Sequence, residues 1–209
     1  MTNHWTRSLV IAAAAAMLTG GALVGGAAAQ KAEPTRVRGT ITTIEGQNLA
    51  VKAREGHVLD IKLADNLAVT GVVKAKLSDI AVGNFVGVAA QPQPDGTLKA
   101  QEVLIFPEAA RGSNEGHYPW DLTPGGTMTN ATVAQEVAGV NGSTLTLKYK
   151  GGEKQIVVPA EAPIVTFGPG DRALLRPGAA VFIPAAKQPD GKLTAARILV
   201  GKDGVTPPM

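Results

Sequence analysis

The four residues Gln93-Pro94-Asp95-Gly96 recur as Gln188-Pro189-Asp190-Gly191. Each time a strand-like run follows, TLKAQEVLIF in the first case and KLTAARILV in the second. The offset is 188 − 93 = 95, and at that offset Gly83 also matches Gly178 and Val86 matches Val181. Further upstream the offset becomes 96: Gly46 matches Gly142, Leu49 matches Leu145, Val51 matches Leu147 and Gly56 matches Gly152. A co-linear series of this kind is the signature of one module written twice, with one residue lost from the second copy. A duplicated module constrains the fold strongly, because both copies must answer to the same burial pattern.

Each copy reads as β. Val37, Gly39 and Ile41 alternate, Gly46-Gln47 turns the chain, and Leu49, Val51 and Ala53 alternate again before Glu55-Gly56. Leu59, Ile61 and Leu63 follow, then a short edge strand is expected over residues 66–73 and one helical turn over 76–80 before Gly83. Period two with β-branched residues and glycine turns indicates antiparallel strands with one buried face. Pro at the second place and Gly at the fourth of QPDG suit a type I turn whose Gly takes the left-handed conformation beside a bulge. Asp95 and Asp190 are accounted for by that turn. After it, Leu98 and Ala100 keep one phase while Val103 and Ile105 have slipped by one, as Leu193 and Ala195 do against Ile198 and Val200. A shared slip of phase predicts a β-bulge, the device that bends a strand around a barrel corner.

Five or six strands with a helical turn before the fourth match a small Greek-key barrel of the oligonucleotide/oligosaccharide-binding (OB) type. A six-stranded barrel of other topology, or an SH3-like barrel, fits the same pattern. The expected fold is all-β: two tandem small antiparallel β-barrels after a cleaved signal peptide. The boundaries are a signal peptide over 1–29, a first β-barrel module over 30–106, an aromatic Pro/Gly-rich joint over 107–130 and a second module with a short tail over 131–209.

The signal peptide rests on three features. One cation, Arg7, precedes an apolar, alanine-rich run over 9–24, and Ala27-Ala28-Ala29 supplies small residues for cleavage before Gln30. Cleavage leaves 209 − 29 = 180 residues, without cysteine and so without disulfides, and with nothing at the cleavage site to carry a lipid. That length suffices to bury one or two small cores. No later stretch has the ~18 apolar residues of a membrane helix, so the mature chain is expected to have no membrane span and to be periplasmic. Losing Arg7 leaves 19 cations against 17 anions, a net +2 without any basic run, so charge gives no sign of a nucleic-acid or lipid surface.

The segment GTITTIEGQNLAVKAREG, with LADNLAVTGV, the QPDGTLKAQEV hairpin, the GHYPWDL joint and the terminal VGKDGVTPPM, resembles the bacterial family of domain of unknown function 5666 over nearly all of the mature chain. The resemblance implies export and small barrel-like β modules, and it brings no catalytic residues. Some relatives carry a metal-transport permease label, a role that needs several membrane spans and from which this chain departs.

The joint, GHYPWDLTPGGTMTN over 116–130, resembles neither copy and holds the only Trp of the mature chain. His117, Tyr118, Trp120 and Asp121 are the candidate ligand-binding residues. Pro119 favours an extended backbone at Tyr118, and we expect Tyr118 and Trp120 to project to opposite sides. Asp121 is expected to hold backbone N–H groups of the following Pro-Gly-Gly turn. Trp120 is expected to dock as an anchor between the barrels; the rival role is a stacking platform, with His117 and Asp121 as polar contacts.

No catalytic set stands out. G-x-S-x-G, G-x-x-x-x-G-K and Cys are missing, and the spacing of Ser113, His117 and Asp121 carries no geometric warrant. His57 is a hairpin-end residue whose counterpart is Glu153. With neither Cys nor an H-x-H spacing, no metal site and no cofactor are expected. Strands of the first copy carry no aromatics before Phe85, which argues against single-stranded nucleic acid. The expected function is that of a non-catalytic exported binding or adaptor protein, its partner an unknown envelope protein or small ligand. The alternative is a periplasmic metal- or small-ligand-responsive protein using His117 and Trp120 of the joint.

Overall fold

The structure is a computed structural model and describes residues 34–207. The expected signal peptide over 1–29 lies outside the described residues. Twelve strands follow: β1 (Thr35–Glu45), β2 (Asn48–Ala53), β3 (Val58–Lys74), β4 (Phe85–Pro92), β5 (Leu98–Ile105), β6 (Gly116–Pro119), β7 (Thr127–Gly139), β8 (Gly142–Tyr149), β9 (Gly152–Pro159), β10 (Ile164–Gly168), β11 (Ala180–Lys187) and β12 (Leu193–Gly201). The only helical elements among the described residues are three one-turn 3-10 helices, Leu77–Asp79, Glu108–Ala110 and Arg172–Leu174. The protein is all-β.

The predicted local devices are in place. In both QPDG turns the Gln N–H and C=O close the loop, Gln93 with Thr97 and Gly96, Gln188 with Lys192 and Gly191. Gly96 and Gly191 take φ of +82° and +83°, a conformation nearly reserved for glycine. The bulge falls in β5, where Ala89 faces Glu102 and Ala90 faces Ala100, so that Gln101 is the extra residue.

The strands form one continuous twelve-stranded sheet. Its first five members, β12-β11-β1-β2-β3, close on themselves because β12 also runs parallel to β3, from Leu193↔Ile61 to Gly201↔Val72. This is a closed five-stranded barrel. Its interior holds Val37, Ile41, Leu49, Val51, Ile61, Leu63, Val181, Ile183, Ile198 and Val200, all almost fully buried. A second ring of pairings, β5-β4-β7-β8-β9, is joined by Leu98↔Ile156 and Lys99↔Val157 between β5 and β9. It surrounds Val86, Val88, Val103, Val133, Leu145, Leu147, Ile156 and Val158.

Strand pairing crosses the expected module boundaries. The first ring takes β1, β2 and β3 from the first copy but β11 and β12 from the second; the other ring takes β7, β8 and β9 from the second copy and β4 and β5 from the first. The segments before and after the joint thus complete each other's rings, and Ala32–Met209 is one compact unit. The exchange of strands between rings follows from β3. Residues 66–73, expected as a separate edge strand, continue the strand that begins at Val58. Seventeen residues at ~3.3 Å each extend roughly 55 Å, far beyond the wall of a small barrel. The chain therefore leaves the first ring along β3 and delivers Ile80 to the core of the second, while Leu175 arrives in the first from the opposite copy.

At the crossing, β3 pairs antiparallel with β10, with Val72 opposite Phe167. These two are related by the repeat offset, 167 − 72 = 95, as are the parallel pairs Val69↔Ile198 (β3–β12) and Val103↔Ile164 (β5–β10), since 164 − 69 = 95 and 198 − 103 = 95. The arrangement is that of a two-fold contact in which equivalent residues meet. A third apolar cluster fills it: Val72, Leu104, Val165, Phe182, Leu199 and Val205, with Phe106 and Phe167 against them. The backbones approach closely there, and a Cβ on Gly71 would lie 2.5 Å from the Pro169 carbonyl oxygen, which only glycine tolerates.

Candidate functional site

The joint ties the two rings together. Its β6 pairs with β7 of the second ring, from Gly116↔Asn130 to Pro119↔Thr127. Immediately afterwards Trp120 and Asp121 reach β1 of the first ring. The Arg36 guanidinium lies 4.2 Å from the centre of the indole and that of Arg38 lies 5.7 Å away. Arg38 Nη2 donates to Asp121 Oδ1 at 2.7 Å, and Arg36 Nη1 approaches Asp121 Oδ2 at 3.6 Å. The loop beyond is pinned on three sides. Thr123 Oγ1 donates to Gln91 Oε1 at 2.6 Å, Gln91 Nε2 donates to the Pro124 carbonyl, and Arg54 Nη1 donates to the Leu122 carbonyl. Gln101, the bulge residue, lies 3.1 Å from the Thr123 hydroxyl. The bulge thus turns a side chain out of the strand phase towards the joint.

Two expectations about the joint are corrected. Tyr118 and Trp120 lie on one side, with ring centres 6.0 Å apart in an edge-to-face contact. Residues i and i+2 of an extended strand share a face, so opposite projection was the wrong reading of this spacing. Asp121 holds Arg38 and Arg36 rather than the N–H groups of the Pro-Gly-Gly turn. That turn closes through its own backbone, Gly126 N–H to the Thr123 carbonyl and Trp120 N–H to the Gly126 carbonyl.

The four candidate residues therefore divide. Tyr118, Trp120 and Asp121 converge with Arg36 and Arg38. His117 faces the other way, its Nδ1 2.8 Å from Thr129 Oγ1 and its ring stacked at 6.5 Å on Tyr149. Burial, and secondarily the Lys154 ammonium, hold its imidazole below the ordinary value. Neutral and hydrogen-bonded, His117 borders a separate cleft with Glu153 and Lys154. Among the described residues no group of three or more His, Cys, Asp or Glu side chains is placed to hold a metal ion. No helix among them is long and apolar enough to cross a membrane.

On the Tyr118 side a cleft of about 650 Å³ opens between the joint and the outer face of the barrel. Tyr118, Trp120 and Phe182 provide aromatic walls, with Arg36 and Arg197 as cations and Glu115 on its border. Trp120 is half-buried and its Nε1 is buried without an acceptor. Asn130 beneath is 4% exposed; its Nδ2 donates to the Ser113 carbonyl and the Tyr118 hydroxyl, both at 3.1 Å. Burial pushes the Tyr118 phenol up, against the pull of Arg36, so it remains a neutral donor. Arg36, Arg38, Phe182 and Arg197 were not singled out from sequence. The alternation Arg36-Val37-Arg38 marks a charged outer face on β1, but nothing local announces a partner 83 positions away.

The Asp121 contacts have a consequence for acid stability. Burial opposes the charged carboxylate, but the Arg38 hydrogen bond and the charges of Arg38 and Arg36 together outweigh it, and the carboxyl sits below the ordinary 3.8. A depressed value in the folded state means stability that is complete above the unfolded value and lost as pH falls through the folded one. The wild type is therefore expected to lose stability below about pH 4 more steeply than Asp121→Asn. Urea midpoints at pH 7 and pH 3 check this, and parallel pH profiles for both proteins would contradict it. Asp121 is half exposed, so the effect is modest.

An all-β protein with a five-stranded barrel, exchanged strands and an aromatic clamp is the class that fold and site define. Residues 38–103 match the family model described as "Domain of unknown function (DUF5666)". The match runs from β1 into β5, the first copy alone, where the resemblance was expected to extend over nearly all of the mature chain. The second copy departs in structure as well: what is one strand in β3 is broken into β9 and β10. No curated protein and no solved structure matches the chain.

Proposed function

We propose that this is a non-catalytic, exported binding protein made of two OB-type modules with exchanged strands, whose ligand enters the Tyr118–Trp120 cleft. In each ring a three-stranded meander is completed by a strand antiparallel to its first member and another parallel to its third. With a helical turn before the fourth strand, this is the order of an OB-type barrel, and the duplicated sequence supports two of them. Export rests on the N-terminal sequence pattern. The observation that carries the function is the placement of Trp120. Arg36 and Tyr118 fix its indole beside a concavity of about 650 Å³, within the range of small-molecule sites.

Tagged full-length protein, purified gently from the envelope of an expressing cell and sprayed from native solution, tests the reading. A small-molecule adduct is expected in the wild type and in His117→Ala, and is expected to disappear in Trp120→Ala. An adduct lost with His117 and kept without Trp120 would transfer the site to the other side of β6 and overturn the proposal.

A further inference from the structure

The charge in the cleft selects a class of ligand. This inference rests on the binding reading above and goes further by naming the chemistry. We infer that the cleft takes a small monoanion, a carboxylate carried on a six-membered ring, with the ring against Trp120 and the carboxylate on Arg197.

Three observations lead there. Aromatic walls by themselves would suit a cation, since the face of an indole attracts positive charge. Here that attraction is already used: Arg36 and Arg38 stand 4.2 and 5.7 Å from the ring centre, and a cationic ligand would meet like charge. Second, the resident cations are unequally satisfied. Arg36 and Arg38 share the Asp121 carboxylate, whereas the exposed Arg197, on β12 just after its bulge, has neither an ion pair nor a hydrogen bond among the described residues. Glu115, the anion on the border, already accepts the Lys150 backbone N–H at 2.9 Å. Three guanidiniums, of Arg36, Arg38 and Arg197, thus stand against two carboxylates, of Asp121 and Glu115. This leaves one net positive charge in a half-enclosed, partly apolar space, with Arg197 the cation that has no partner among the described residues. A guanidinium is the side chain best shaped for a carboxylate, which it can bind through two parallel hydrogen bonds. Third, the remaining walls, Phe182 and prolines 34, 119 and 184, are flat and apolar and suit a ring better than a flexible chain.

A sugar acid and an aromatic acid share this chemistry, and a titration separates them. Full-length protein is titrated at low ionic strength with galacturonate, galactose, 4-hydroxybenzoate and 4-hydroxybenzyl alcohol. The Trp120 indole N–H resonance, assigned through Trp120→Phe, is followed throughout. At least one acid is expected to bind about tenfold or more tightly than its neutral counterpart, as a charge-assisted pair requires. The preference is expected to vanish in Arg197→Gln, to return in part in Arg197→Lys, and to weaken in high salt. Which acid wins identifies the source. Acid and neutral probes that bind equally, and are both lost in Trp120→Ala, would overturn the charge inference while leaving the cleft as the binding site. If none of the four binds, both fall.

Discussion

A chain cut once in the exposed stretch between Arg111 and Glu115 is expected to remain a single particle. Six pairings, β1–β11, β3–β12, β3–β10, β5–β10, β4–β7 and β5–β9, join strands on opposite sides of that cut. The interiors of the five-stranded barrel and of the second ring are each built from both halves, so separating them would open both and expose the core residues together. A protease site inserted at Gly112, which lies in open surroundings with a φ of +81°, makes the test. After cleavage the two fragments should co-elute at the mass of the intact chain and separate only in denaturant. Refolding of the cut protein should become concentration-dependent, because the joint no longer supplies the high effective concentration of a tether. Two fragments that elute apart under native conditions, each still folded, would show that the rings are independent and that the strand exchange is not what holds the molecule together. Expressed alone, residues 131–209 carry three strands of one ring and two of the other, and a soluble folded monomer is not expected from them.

How far the sequence reveals this fold differs from element to element. The QPDG turns, the bulge at Gln101 and the 3-10 turn at Leu77–Asp79 are set by neighbouring residues, so local pattern suffices to place them. Partner choice is not local. Val86, Val88 and Ala90 of β4 have the same inward alternation as Val181, Ile183 and Ala185 of β11, and either strand would satisfy either ring. Periodicity reports which face is buried, not which neighbour buries it. The decisive feature is that Val58–Lys74 forms one strand, and the polar Asp65-Asn66 step within it hides that continuity in the sequence. At the site, Trp120 stood out by rarity alone, whereas Arg197 looked like an ordinary strand cation. Its role depends on what lies across the cleft, which only the folded chain brings there.

Replacing Trp120 tests the clamp most directly, and two substitutions should behave differently. Trp120→Ala removes the surface on which Arg36 and Tyr118 pack and frees the loop that follows. Deleting a large buried aromatic typically costs 3–5 kcal/mol; the indole here is half-buried, which places the expected loss near the lower end, about 3 kcal/mol. The loss should be visible as a lower urea midpoint with the slope unchanged. Trp120→Phe keeps a ring beneath the Arg36 guanidinium and removes an N–H that is buried without an acceptor. An unsatisfied buried donor carries a penalty of roughly 1–3 kcal/mol, and relief from it offsets the smaller apolar area of phenylalanine. Trp120→Phe should therefore lie within about 1 kcal/mol of wild type. If both substitutions were equally neutral, Trp120 would not be clamping the joint to β1. If Phe proved as damaging as Ala, the indole N–H would have a partner in solution, and the ligand-facing side of the cleft is where such an acceptor would sit.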